Sequence, residues 1–237
     1  MKVLIFGASG LTGNSLVEQL LDHHAVSEIH LALRKPLNAI KQNDKLHTHI
    51  VNFNHHHQLT ELIESHKVDV IYCALGTTIK KAGSQAAFKA IDVDLISAIG
   101  RAAIASNHCH SFCMISALGA DASSSVFYNR CKGLTEQNII EALQQTTGKN
   151  LVICRPSLLS GHRAEFRLGE HIANVISRIL PFIYTGRLAK YKPIAVSTLA
   201  SAMINATLAQ PHSNDTTTES KLSIIENDAL HRLGQAH

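Results

Sequence analysis

Apolar runs of four to six residues alternate along the chain with longer stretches whose apolar positions recur at helical spacing. This is the pattern of βαβ units around a parallel sheet that is buried on both faces. It predicts strands near 2–6, 28–33, 46–51, 69–74, 110–115 and 151–154, and a weaker one near 222–225. Helices are predicted over 11–22, 56–66, 85–106, 124–146, 170–180 and 196–209, with a short helix after the last strand. The expected fold class is α/β, a doubly wound parallel sheet of about seven strands flanked by helices on both faces.

Connections in the first 155 residues are short and no internal repeat is present, so no domain boundary is expected there. The polar, Pro-broken stretch from Gln210 to Thr218 reads as an exposed loop within the same domain. Residues 1–237 are expected to form a single domain, of which 155–209 is a distinct part.

The composition fits a folded enzyme-sized domain. With 237 residues, 45% hydrophobic and 17% charged, roughly 70% of the chain's surface can be buried without disulfides or a structural metal. A net charge of +4 without a run of five like charges argues against a nucleic-acid arm or a polybasic membrane patch. No apolar stretch reaches the ~18 residues of a membrane span, and the run Met1–Phe6 is too short for a signal peptide. Cys73, Cys109, Cys113, Cys131 and Cys154 lack C-x-x-C spacing and lie mostly in apolar runs, as expected for reduced, buried thiols in a cytoplasmic protein. The 16 histidines make the surface charge sensitive to acid. His55-His56-His57 is the obvious place to look for a metal, but neighbouring helical residues point in different directions and no spaced partner follows, so no metal is expected.

Two motifs carry chemistry. Directly after the first strand, Gly7-Ala8-Ser9-Gly10-Leu11-Thr12-Gly13 leads into a helix. Glycines there let the backbone turn and approach a pyrophosphate, while the helix N-terminus offers free N–H groups. At the end of the second strand an NAD site usually places an acidic residue on the ribose 2′-hydroxyl. Here Arg34 and Lys35 stand instead, which favours the 2′-phosphate of NADP over NAD.

The second motif begins with Ser116 at the end of the fifth strand; twelve residues later comes Tyr128-Asn129-Arg130-Cys131-Lys132. A spacing of four puts Tyr128 and Lys132 on one helical face. A phenol with a reference pKa near 10 is a poor base at neutral pH, but a nearby ammonium and a cationic nicotinamide favour its ionised form. Ser116 is expected to hydrogen-bond the substrate carbonyl oxygen, Tyr128 to transfer the proton, and Lys132 to assist it and to contact the nicotinamide ribose.

These residues resemble a short-chain dehydrogenase/reductase over nearly the whole chain, and within that superfamily the atypical, Tat-interacting-protein-like branch. The likeness rests on the glycine loop, Leu75-Gly76-Thr77-Thr78, Lys81-Ala82-Gly83, Gly119-Ala120-Asp121 with Ser123-Ser124, Tyr128 through Gly133, and Arg155-Pro156. The resemblance implies a Rossmann fold, NADP(H) binding and a Ser116, Tyr128, Lys132 triad. It also implies that Leu75, Gly76 and Thr77 border the cofactor and that Arg155 and Pro156 lie near the nicotinamide. The superfamily's usual Asn-Asn-Ala-Gly is replaced by Cys73-Ala74-Leu75-Gly76-Thr77, and its helical relay asparagine has no counterpart in Ala90-Ile91-Asp92-Val93-Asp94.

The expected activity is hydride transfer to or from a small carbonyl or alcohol, by a monomer or homodimer that binds neither nucleic acid nor membrane. Seven basic residues (Arg155, Arg163, Arg167, Arg178, Arg187, Lys190, Lys192) against Glu165 and Glu170 raise an anionic substrate. The alternatives are an NADPH-binding regulatory protein with little turnover and a nucleotide-sugar epimerase or dehydratase.

Overall fold

The computed structural model describes residues 1–37, 43–160, 190–208 and 219–235. Its centre is a seven-stranded sheet in the order β3-β2-β1-β4-β5-β6-β9, with every neighbouring pair parallel. The strands are β1 Lys2–Phe6, β2 Glu28–Leu33, β3 Leu46–Ile50, β4 Val70–Cys73, β5 Ser111–Ile115, β6 Asn150–Arg155 and β9 Lys221–Glu226. A separate two-stranded parallel pair joins β7 (Leu159–Ser160) to β8 (Ile194–Ala195). The α/β fold expected from the hydrophobic pattern is the one observed, and the weak last strand closes the sheet's edge against β6.

The central strands read as unbroken apolar runs because helices cover both of their faces. One core lies beneath α2 (His56–His66), α5 (Ile96–Ala105) and α6 (Phe127–Leu143), with Leu4, Phe6, Ile71, Phe112 and Ile153 from the sheet. The other lies beneath α1 (Leu11–Leu21) and α7 (Val196–Leu208), with Val3, Ile5, Tyr72, Val152 and Cys154. Successive strand residues therefore feed opposite cores. Among the described residues there are also the short helices α3 (Ile79–Ala82), α4 (Gln85–Lys89) and α8 (Asn227–Leu233).

The single helix expected over 85–106 is instead α4, a π-helical segment Ala90–Leu95, and α5. A π turn takes in one extra residue, and such turns gather at functional sites. The helix expected over 170–180, the basic residues Arg163, Arg167, Arg178 and Arg187, and the stretch Gln210–Thr218 lie outside the described residues. Among the described residues no helix is long and apolar enough to cross a membrane.

Candidate functional site

The strand order reverses at β1, which pairs with β2 on one side and β4 on the other. In a doubly wound sheet the crevice outside the carboxyl ends of such strands is where ligands bind. Gly7, directly after β1, has φ 89°, and a Cβ there would meet the Ala74 carbonyl carbon at 2.7 Å. Gly13 packs so closely that a Cβ would come within 2.1 Å of the Gly7 oxygen. Both glycines are thus demanded by backbone-on-backbone contact. Gly10 caps α1 without any side-chain hydrogen bond, and the first turn of the helix holds no acidic residue. The leading N–H groups of α1 therefore stay available to an anion, and their partial positive charge is uncancelled. Ser9 and Gly10 are exposed, Leu11 is half-buried, and Thr12 and Gly13 are packed inward. This cradle fits a dinucleotide pyrophosphate.

Arg34 and Lys35 follow β2 and are exposed. Arg34 lines a cleft of about 330 Å³ together with Ile50, Val51, Asn52, Phe53 and Asn54 from the end of β3. The sequence pattern did not single out these β3-end residues, because only the parallel pairing of β2 with β3 brings them beside Arg34.

The turn after β4 carries Leu75, Gly76 and Thr77. The Thr77 N–H donates to the Asp92 carboxylate at 2.8 Å. The other oxygen of that carboxylate stands 2.7 Å from the Lys132 ammonium, with Lys132 and Asp92 side chains only 5% and 1% exposed. Burial pulls the Lys132 pKa down, but the charge and hydrogen bond of Asp92 together with Tyr128 outweigh it, and the net direction is up. Asp92 sits within the π-helical segment, and its backbone carbonyl accepts the Thr135 hydroxyl at 2.6 Å. Asp92 thus ties together three elements: the β4 turn, the π segment and α6. The sequence offered only a weak signal for it, since Asp92 is one of two carboxylates, with Asp94, among the apolar Ala90, Ile91, Val93 and Leu95.

Tyr128 opens the same face of α6 one turn before Lys132, is 38% exposed, and packs its ring against Phe88 at 6.0 Å between centroids. The Lys132 ammonium lies 5.9 Å from the Tyr128 ring centre. A Cβ on Gly76 would stand 4.0 Å from that ammonium, so the pair borders the turn at the carboxyl end of β4. The Tyr128, Lys132 and Gly76 expectations meet in one place.

Ser116 has a partner of its own. Its hydroxyl is buried and donates to Glu136, which lies eight residues beyond Tyr128, about 12 Å along the helix axis. Glu136 also receives the Arg155 guanidinium through Nε at 3.0 Å and a terminal nitrogen at 2.5 Å. The other end of Arg155 reaches Glu226 at 3.0 Å. These hydrogen bonds, led by Glu136, hold Arg155 firmly protonated against the opposing effect of burial. Ser116 and Arg155, expected at the substrate and the nicotinamide, are therefore joined in a network that binds β5, α6, β6 and β9. A hydroxyl and a guanidinium already spent on the buried Glu136 carboxylate are poor candidates for contacting a ligand.

Pro156 accepts the Leu118 N–H at 2.9 Å, and Ser157 donates its N–H to Asn227 at 2.9 Å and its hydroxyl to the Lys192 carbonyl at 2.5 Å. A cleft of about 490 Å³ lies beside Glu136, Arg155, Asp121 and Ile224, and neither the glycine loop nor Tyr128 lines it. It belongs to the network and not to the dinucleotide crevice.

Comparison with known proteins agrees with the fold. The NAD dependent epimerase/dehydratase family model matches residues 3–204. Protein HTATIP2 of Rattus norvegicus is 30% identical over 235 residues, covering 99% of this chain and 89% of its own. Protein FMP52, mitochondrial, of Candida albicans is 34% identical over 179 residues, 74% of this chain and 75% of its own. Among solved structures, the UDP-Glc/GlcNAc 4-epimerase of Campylobacter jejuni superposes with a TM-score of 0.68 at 15% identity, covering 95% of this chain and 78% of that one. DesIV, a dTDP-glucose 4,6-dehydratase of Streptomyces venezuelae solved with NAD and TYD bound, covers 95% of this chain and 76% of that one with a TM-score of 0.66 at 14% identity. At such identities the structural likeness is one of fold.

Proposed function

This chain belongs to the NAD dependent epimerase/dehydratase family, and from that premise we propose that it is an NADP(H)-dependent oxidoreductase of the atypical short-chain dehydrogenase/reductase kind, acting on a small carbonyl or alcohol. The uncapped start of α1, with Gly7, Gly10 and Gly13, holds the pyrophosphate. Arg34 and Lys35, without an acidic residue at the end of β2, hold the 2′-phosphate. When bound, the nicotinamide ring supplies or accepts the hydride.

The observation that carries this reading is the exposed Tyr128 phenol set one helical turn from the buried Lys132–Asp92 pair at the β4 turn. Tyr128 donates its hydroxyl proton to the substrate oxygen in reduction and takes it back in oxidation. Lys132 lies behind the ring and holds positive charge near that oxygen, while Asp92 fixes where the ammonium stands. Asp92 thus supplies a buried anchor where the relay asparagine had no counterpart in the sequence. The five free, buried cysteines support a reducing compartment such as the cytoplasm.

Titration with NADPH and NADH, followed by a panel of aldehydes, ketones and nucleotide sugars, tests the proposal. Tight NADPH binding that Arg34→Asp shifts toward NADH, and carbonyl turnover that Tyr128→Phe abolishes while leaving NADPH affinity within a few-fold, is expected. Turnover of a nucleotide sugar without net oxidation or reduction replaces this reading with epimerisation.

A second reading has its own support. An ammonium whose charge is opposed by a carboxylate at 2.7 Å presents a nearly neutral pair to its surroundings. Such a site suits a protein that binds NADPH and turns over little, as a regulatory sensor does. NADPH-dependent capture of a protein partner, with no reduction across the carbonyl panel, selects it.

A further inference from the structure

Apart from the dinucleotide crevice, His30, His49 and His66 converge. One ligating nitrogen from each lies within 4.8 Å of the others, in a group that is buried at His30 and half-open at His49 and His66. The three come from β2, β3 and the last turn of α2. In the β2–β3 pair His30 is opposite His47 and Ala32 opposite His49, so the alternating side chains of both strands put these imidazoles on the face that α2 covers.

The separations suit a late transition metal. Zinc held by imidazoles at about 2.0–2.1 Å in a tetrahedron needs nitrogen–nitrogen spacings of about 3.3 Å. His30 Nδ1 and His49 Nε2 stand 2.9 Å apart, and all three ligating nitrogens lie within 4.8 Å of one another. The outer shell is also built. His30 Nε2 lies 3.3 Å from the Glu28 carboxylate, which is itself held by Lys2 at 2.9 Å. A carboxylate taking one imidazole N–H leaves the other nitrogen's lone pair for a metal, the arrangement that orients most metal-bound histidines. Water can fill a fourth position.

We propose that His30, His49 and His66 form a binding site for a divalent zinc-class metal that clamps β2, β3 and α2 together. The site is independent of the dinucleotide reading, and imidazole-only ligation favours Zn²⁺, Cu²⁺ or Ni²⁺ over Mg²⁺ or Ca²⁺.

The test uses the full chain without an affinity tag, stripped with EDTA and titrated with Zn²⁺ by calorimetry and with Co²⁺ by visible absorption. One equivalent of Zn²⁺ is expected to bind and raise the melting temperature, and Co²⁺ to give the absorption of a four-coordinate nitrogen site. His49→Ala and His66→Ala, both at half-open positions, are each expected to weaken Zn²⁺ binding at least tenfold. Glu28→Gln is expected to weaken it about tenfold. Replacing the exposed run His55-His56-His57 with alanines serves as control and is expected to leave binding unchanged. Failure of the parent chain to bind stoichiometric Zn²⁺, undiminished binding in the His49 and His66 variants, or loss of binding in the control overturns the proposal.

Discussion

The Lys132 ammonium and the Asp92 carboxylate stand 2.7 Å apart with almost no contact with solvent. Removing one partner of such a pair leaves the other charge stranded, which costs about 3–5 kcal/mol. Asp92→Asn is therefore expected to lose that much stability in urea unfolding, and Lys132→Met a comparable amount. The double variant should lose clearly less than the sum, because both charges leave together. Strict additivity would show that the pair is not coupled.

Ser116 donates to Glu136 inside a network with Arg155 and Glu226. Ser116→Ala is expected to cost about 1.5–3 kcal/mol, the range for a hydrogen bond to a charged group, read as a drop in the unfolding midpoint. Carbonyl turnover should fall less than tenfold, against a loss of roughly 10²–10⁴ for Tyr128→Phe. A Ser116→Ala protein of unchanged stability and vanished turnover would return the serine to the substrate.

At Gly13 an added methyl would sit 2.1 Å from the Gly7 oxygen. Gly13→Ala must push α1 away from the end of β1, spoiling the cradle for the pyrophosphate. NADPH affinity is expected to fall at least tenfold by fluorescence titration. Gly83→Ala, which meets no atom within 4 Å but has φ 83°, should cost some stability and leave affinity unchanged.

Burial pushes the thiols of Cys73 and Cys109 up to about 12. An acid whose folded pKa is raised stabilises the fold below its unfolded pKa of about 8.5, and that contribution is lost as pH rises toward 12. Melting temperature is thus expected to fall from about pH 9 upward, and less steeply in Cys73→Ala after correction for the packing loss. All five cysteines are buried, so Ellman's reagent at pH 8 should label none in the native protein and all of them in denaturant.

Much of the fold was legible because its signals are local. Each of β1, β4 and β6 announces itself as an apolar run that any buried parallel strand requires, and α2 was placed at its observed bounds. The break of the long helix into α4, a π segment and α5 was not legible, since nothing in Ala90–Leu95 marks where a turn widens. Likewise Tyr128 and Lys132 were found because four residues of helix fix their geometry, whereas the partner of Ser116 lies 20 residues away on another element.

The sequence by itself determined the order of strands and helices, the glycine cradle and the Tyr128–Lys132 face, all set by spacings shorter than two helical turns. Tertiary structure alone decided that Asp92 meets Lys132, that Ser116 and Arg155 serve Glu136, and that His30, His49 and His66 come together. The physical reason is that these meetings depend on strand register and on where a helix crosses the sheet, and such distances are summed over many residues and carry no signature in any one stretch of chain.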